Sequence, residues 1–374
     1  MKHRRKQASW RAIRFKNAFV LLEAVLSRRS LIFPCWLATF YLVWLAIVIW
    51  GELGSNIQQH WGIAAAMAAG SYVAGSTPMG GGTVGFPVLV LLFDHSGAMG
   101  RDFAFAIQSI GMVSASIYIL TRGNRQVSRE RSAQNQPIFV DWQLIRPALL
   151  GSLISTPLGV IWLAPRLPDL SVKLTFAVIW ASFGLMHLIK LKELLRNAGQ
   201  ASPWLNHKRQ IGFAVGLLGG LVSSVTGVGI DMLLYATMVL LFQSDLKIST
   251  PSSVIVMAFT SVVGVTSGLL MQWRFPSQFA IDPEVLGCWI AAAPVVAIGA
   301  PVGAWAVQRL PRVPTLVLIS LLCLVQFAWT LVEENLSFNA SVLAITAVLV
   351  LYSLFHSLYR FGRKSPQTVN PLPG

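Results

Sequence analysis

Charge is scarce in this sequence. Only 11% of its 374 residues are Asp, Glu, Lys or Arg, less than half of the roughly 25% that a soluble domain carries. That is too little to cover a water-facing surface. It excludes a cytosolic enzyme, a nucleic-acid-binding domain and a disordered chain. Acidic residues are the rarer sign, 14 against 29 Lys and Arg. Cysteine is nearly absent too. Cys35, Cys288 and Cys323 stand singly inside apolar runs, so no disulfide framework and no zinc site is expected, and they read as small apolar packing residues. The chain also lacks a Walker A loop, a His-Glu-x-x-His motif and any other metal-ligand spacing. No cofactor, metal or direct ATP driving is therefore expected. No serine has a base within an identified motif, and the chain reads as a non-enzyme.

Long apolar runs are what the chain has instead, with 55% hydrophobic residues. A span needs about 20 apolar residues to cross a hydrocarbon core about 30 Å thick. Eight runs have that length: about 31–50, 103–121, 144–164, 172–190, 250–273, 285–308, 313–332 and 338–358. The predicted fold class is an all-α polytopic membrane protein. His187 and His356 fall near span ends and are expected at the interface. The basic residues cluster between the runs, as cytoplasmic loops do beside an anionic leaflet. In this setting a net charge of +15 says nothing about nucleic acid. Residues 1–30 form a basic tail in which Trp10, Ile13, Phe19, Leu22 and Leu26 recur at helical spacing. That predicts an amphipathic helix on the membrane surface. The 20-residue run that follows is too long for the apolar core of a signal peptide, so residues 31–50 read as an uncleaved first span.

Two stretches, 62–93 and 210–242, are too long for one helix and too short for two full spans. Each is interrupted: the first by Gly75-Ser76-Thr77-Pro78-Met79-Gly80-Gly81-Gly82-Thr83, the second by Ser223-Ser224-Val225-Thr226-Gly227-Val228-Gly229-Ile230-Asp231. Glycine and proline end helices, and freed backbone groups cannot stay bare in lipid. The expected solution is a hairpin of two half-length helices with its tip buried in protein. Arms of roughly 11–14 residues would reach about 16–21 Å, to mid-membrane.

With the N-terminus inside and both hairpins returning to their side of entry, 25 of the 29 Lys and Arg fall in the cytoplasm, and the C-terminal tail 359–374 falls there too. A single crossing by each stretch gives 18 inside and 11 outside. The positive-inside rule prefers the first arrangement. Two thin tilted spans in place of each hairpin would satisfy it equally.

A repeat is visible. Thr77 and Thr226, Gly80 and Gly229, and Phe93 and Phe242 are each 149 positions apart; Ser109 and Ser253, Pro157 and Pro301, and Gly159 and Gly303 are 144 apart. A longer loop after the first hairpin would account for the drop. Residues 62–190 and 210–332 each contain a hairpin and three spans. Three is odd, so the repeats are expected to be inverted, as in secondary transporters.

The chemistry of the breaks points to an anion. The start of each second arm leaves backbone N–H groups unpaired at the positive end of a helix dipole. Gly80, Gly81, Gly82, Gly227 and Gly229 allow close approach to that backbone. Ser76, Thr77, Thr83 and Thr226 add hydroxyls. Gln108, Ser109, Ser252 and Ser253, at the start of the following spans, are candidates to line the path. The alternative for the glycines is close helix packing, and for the hydroxyls bonding back to their own helix. Asp231 is the one acidic residue deep in an apolar run, a functional hypothesis by default. It could carry a proton, hold a cation or cap the second arm.

At these residues the sequence resembles a known family. Gly80-Gly81-Gly82-Thr83-Val84-Gly85-Phe86-Pro87 running into Val88-Leu89-Val90-Leu91-Leu92-Phe93 is similar to the first signature of the sulfite exporter TauE/SafE family. Phe103–Met112, Thr226–Asp231 and Thr250-Pro251-Ser252-Ser253 resemble further segments of one branch. The resemblance covers roughly residues 62–335 and departs from the plainest pattern at Asp231. It implies a multi-pass transporter of the bacterial inner membrane, with sulfite, sulfonates or related organosulfur anions as substrates. An anion channel and a non-transport membrane scaffold are the alternatives. The partners expected are a small anion and the lipid bilayer; large apolar faces are also compatible with a homodimer.

Overall fold

The computed structural model describes residues 31–123, 140–197, 204–307 and 312–363. The predicted amphipathic tail and the end of the C-terminal tail lie outside them. Among the described residues there is no strand, and eight helices are long and apolar enough to cross a membrane. The chain is an all-α polytopic membrane protein.

Besides a short helix at Gly54–Gln59, the helices that build the frame are, in order, α1 (Leu31–Trp50), α2 (Trp61–Ser76), α3 (Gly82–Pro87), α4 (Gly97–Tyr118), α5 (Trp142–Leu158), α6 (Asp169–Asn197), α7 (Lys208–Thr226), α8 (Ile230–Ala236), α9 (Leu246–Arg274), α10 (Pro283–Ala306), α11 (Arg312–Glu333) and α12 (Phe338–Arg363). Both interrupted stretches break where the glycines fall. Thr77 leaves α2 in extended backbone. Gly227 and Gly229 take φ of +77° and +121°, a region open to glycine at no steric cost. The first arms are longer than expected, 16 residues in α2 and 19 in α7. The apolar part of α7 begins only after Lys208, Arg209 and Gln210, which extends the helix beyond the expected half-span.

The two hairpins are built alike down to single hydrogen bonds. Each second arm widens at its end. The Phe93 N–H donates to Val88 O at 3.1 Å and the Phe242 N–H to Thr237 O at 3.2 Å; His95 N–H then reaches Leu89 O and Ser244 N–H reaches Met238 O. Asp94 and Gln243 follow with positive φ. Ser96 and Asp245 cap the next helices with their side chains. All these pairs keep the spacing of 149. The loop after each hairpin is therefore the same length, and the drop to 144 does not arise there. It falls between the caps of α4 and α9 and the helices α5 and α10.

Packing crosses between the halves. The first arm α2 lies against α10, and the first arm α7 lies against α5, while α4 meets α9 and α6 meets α11. Small residues set the closest approaches. A Cβ on Gly75 would stand 1.8 Å from Ala300 O, and one on Gly303 would stand 2.3 Å from Tyr72 O. In the other half, a Cβ on Gly216 would stand 2.1 Å from Ala148 O, and one on Gly159 would stand 2.0 Å from Ser224 Oγ. Backbones this close gain dispersion contact that lipid cannot offer. The contacts Ser71–Gly299 and Gly220–Ser155 map onto one another through both sequence offsets, 149 on the hairpin side and 144 on the span side.

The helix α1 packs outside this frame by a polar edge. Pro294 has no N–H, so it leaves Ile290 O without its helical donor. Trp44 Nε1–H fills that carbonyl at 3.0 Å, Tyr41 OH donates to Pro294 O at 2.6 Å, and Trp36 Nε1–H donates to Ser114 Oγ at 2.8 Å.

Candidate functional site

Folding brings the tips of the two hairpins together, and Asp231 joins them. Its Oδ2 accepts the N–H of Gly80, in the other hairpin, at 2.6 Å. Its Oδ1 accepts the N–H of Gly229 at 3.2 Å and of Met232 at 2.9 Å. The carboxyl is fully buried. Asp231 lies in the first turn of α8, where a negative charge meets the positive end of the helix. Of the roles open from the sequence, this geometry matches the cap, and it extends the cap across to the opposite hairpin.

Gln108 of α4 makes the second link. Its Nε2 donates to Ala104 O at 2.9 Å and to Gly227 O at 3.0 Å. The side chain is 1% exposed, and Oε1 is buried with no hydrogen-bond partner. Both acceptors crowd Gly80: a Cβ there would lie 1.8 Å from Gln108 Oε1 and 3.0 Å from Asp231 Oδ2. Gly82 is confined too, with Val228 Cγ1 2.5 Å from where its Cβ would be. Gly81 is the looser one, its nearest neighbour being the flexible end of Met67 at 3.3 Å. A cavity of about 10 Å³ lies beside the tip, bordered by Ser71, Gly81, Gln108, Gly111 and Ala300 among others.

The hydroxyls divide into two groups. Thr77 Oγ1 donates to Val73 O at 2.7 Å and accepts the Met79 N–H at 3.3 Å. Thr226 Oγ1 donates to Val222 O and Val228 O. Both hold their tip in shape. Ser76 bonds back weakly to Val73 O at 3.4 Å. Ser109 donates to Ala106 O and Ser253 to Thr250 O, each at 2.8 Å, which is the back-bonding alternative. Ser252 Oγ accepts the Asp141 N–H at 3.2 Å, at the cap of α5, where Asp141 also pairs with Lys208 at 2.5 Å. Those three serines are engaged on their own helices or at that cap, not at the tips.

One residue at the tips carries no signal in the sequence. Trp180 of α6 is fully buried. Its Nε1–H donates to Thr83 Oγ1 on the first hairpin at 3.0 Å, and its ring edge lies 3.8 Å from the Cβ position of Gly229 on the second. It stacks on Phe176, which stacks on Phe86 of α3, with centroids 4.1 and 4.2 Å apart. Phe183 and His187 continue this face of α6 towards Tyr235 of α8. A stripe of Phe, Trp and Phe on an apolar helix reads as core from sequence alone. His187, expected at the interface, is 1% exposed in this column, because α6 continues for three more turns, to Asn197.

No curated protein and no solved structure matches the chain. The pattern of one family, described as sulfite exporter TauE/SafE, matches residues 61–330. That span begins at the first helix of the first hairpin and ends within α11, so it takes in both tips and leaves out α1 and α12. The chain belongs to the sulfite exporter TauE/SafE family of membrane transporters.

Proposed function

We propose that this chain is a secondary transporter of a small anion, sulfite or a related organosulfur anion or oxyanion, working by alternating access. One observation carries the reading. N–H groups from both hairpin tips converge on a single carboxylate that no cation among the described residues pairs with. A carboxylate and a sulfur oxyanion present the same feature, oxygens that accept N–H bonds. The tips are therefore chemically suited to an anion, and they belong to two different hairpins, which alternating access would have to part.

The crossed packing of α2 on α10 and α7 on α5 supports the inverted-repeat reading. An axis in the membrane plane would exchange these two contacts and pair α4 with α9 and α6 with α11. The 25-to-4 distribution of basic residues supports an inner-membrane protein with both termini cytoplasmic. Asp231 is the candidate for proton coupling, since it is the one carboxyl at the tips.

Uptake of radiolabelled sulfite, sulfate, sulfoacetate and a carboxylate into liposomes tests the reading. Saturable flux of one of them is expected. Conductance without saturation would replace the transporter by a channel, and no flux at all would favour a scaffold.

A further inference from the structure

We propose that Asp231 is a tethered stand-in for the transported anion: its carboxylate fills the cradle between the hairpins, and one monovalent oxyanion enters only as one proton neutralises that carboxyl. This rests on the anion-transport reading above.

Space is the first argument. The cavity beside the tip measures about 10 Å³, about enough for one water molecule and too little for a sulfur oxyanion. The Gly80 N–H is already engaged by Asp231 Oδ2. An anion using that donor has to displace the carboxylate.

Charge is the second. Asp231's hydrogen bonds all come from backbone N–H groups. The elements packed around the tip bring titratable groups that are engaged elsewhere. Arg101 pairs with Asp102 on α4, and His187 of α6 bonds Phe183 O through Nδ1 and stacks on Tyr235 of α8, leaving only Nε2 open. The first hairpin tip, from Ser76 to Thr83, has none. With no cation beside it among the described residues, an ionised carboxylate and a bound anion repel strongly in a medium of low dielectric. The cradle therefore holds one negative charge at a time: the carboxylate alone, or the anion beside a neutral carboxyl.

Gln108 is the third, and it is independent of the helix ends. Its amide cannot turn over, because Nε2 is fixed by two carbonyls, Ala104 O and Gly227 O. Oε1 is left as a buried acceptor without a donor, within 1.8 Å of the same Gly80 Cβ position that Asp231 Oδ2 approaches to 3.0 Å. Beside an ionised carboxylate such an acceptor is unsatisfied; a protonated one brings an O–H donor to the same side of Gly80, where Oε1 can take it up. The site thus has a place for the proton as well as for the anion. The proton comes from water on the entry side and leaves to water on the exit side. No bond to the anion forms or breaks, and the cycle moves no net charge.

The full-length protein in liposomes tests this with sulfite and with methanesulfonate, whose charge does not change with pH. For the wild type, accumulation is expected to rise about tenfold per unit of imposed pH difference, the ratio fixed by one proton per anion, and to ignore a potassium-diffusion potential. Asp231→Asn should reverse both responses, with accumulation set by the potential and not by pH. Equal proton dependence in the variant, or potential-driven accumulation in the wild type, overturns the proposal. Asp231→Gly supplies a readout that needs no transport. Sodium formate should raise its thermal stability in detergent while leaving the wild type unchanged, and no effect on the variant overturns the stand-in. Absence of flux in the wild type overturns the transport reading itself and the coupling with it.

Discussion

Two adjacent glycines, Gly80 and Gly81, should respond oppositely to the same substitution. Neither has positive φ, so alanine costs no backbone strain at either position and space decides. At Gly80 the new methyl would stand 1.8 Å from Gln108 Oε1, more than an ångström inside any tolerable contact. Gln108 has to move, and it is held by Ala104 O and Gly227 O. Losing both bonds costs about 0.5–1.5 kcal/mol each, with a further cost from any Gly227 carbonyl left bare in the core. The total is on the order of 2–6 kcal/mol, and the link from α4 to the second hairpin is gone. Asp231 Oδ2, 3.0 Å from the methyl, must also give by a few tenths of an ångström. At Gly81 the nearest atom is Met67 Cε at 3.3 Å, the mobile end of an adaptable side chain. Gly80→Ala should lower the melting temperature in detergent and reduce sulfite uptake at least tenfold. Gly81→Ala should leave both near wild type. Equal loss from the two variants, or normal uptake by Gly80→Ala, refutes the reasoning that the Gly80–Gln108–Asp231 contact is the functional junction.

Three further expectations concern the scaffold. Trp180→Phe keeps the stack on Phe176 but removes the donor to Thr83 Oγ1; a destabilisation of about 1 kcal/mol and a reduced maximal uptake rate are expected, read by thermal melting and initial rates. Trp44→Phe strands the Ile290 carbonyl that Pro294 leaves open, which should cost about 1–3 kcal/mol with no change in the substrate concentration at half-maximal uptake. Gly75→Ala drives a methyl to within 1.8 Å of Ala300 O, a backbone atom that cannot turn aside. It should force α2 from α10, and the yield of monodisperse protein on size-exclusion chromatography should collapse.

Some of this was readable before folding, because it depends on local chemistry. Low charge and long apolar runs determine helices in a bilayer, since no other backbone state satisfies its own N–H and C=O groups there. Gly75–Thr83 and Ser223–Asp231 determine where two of those helices break, and Asp231 stands out as a charge with nowhere to go. The sequence repeat likewise reappears in matching bonds at Phe93 and Phe242. Ser109 and Ser253 suggest a longer loop after the first hairpin, but the two loops are equal: two serines on amphipathic positions align by chance as easily as by descent.

What the chain could not disclose is which groups meet. Gly80 and Asp231 are 151 positions apart, and Gln108 and Gly227 are 119 apart. Nothing in either neighbourhood marks its partner. Their meeting follows from the glycine-lined approach of α2 to α10 and α7 to α5, a matter of shape summed over whole helices. Trp180 makes the same point, since any apolar helix could bury such a residue. Only the packing sets it between two tips, and only the packing gives an isolated acid three N–H donors and a neighbour waiting for a proton.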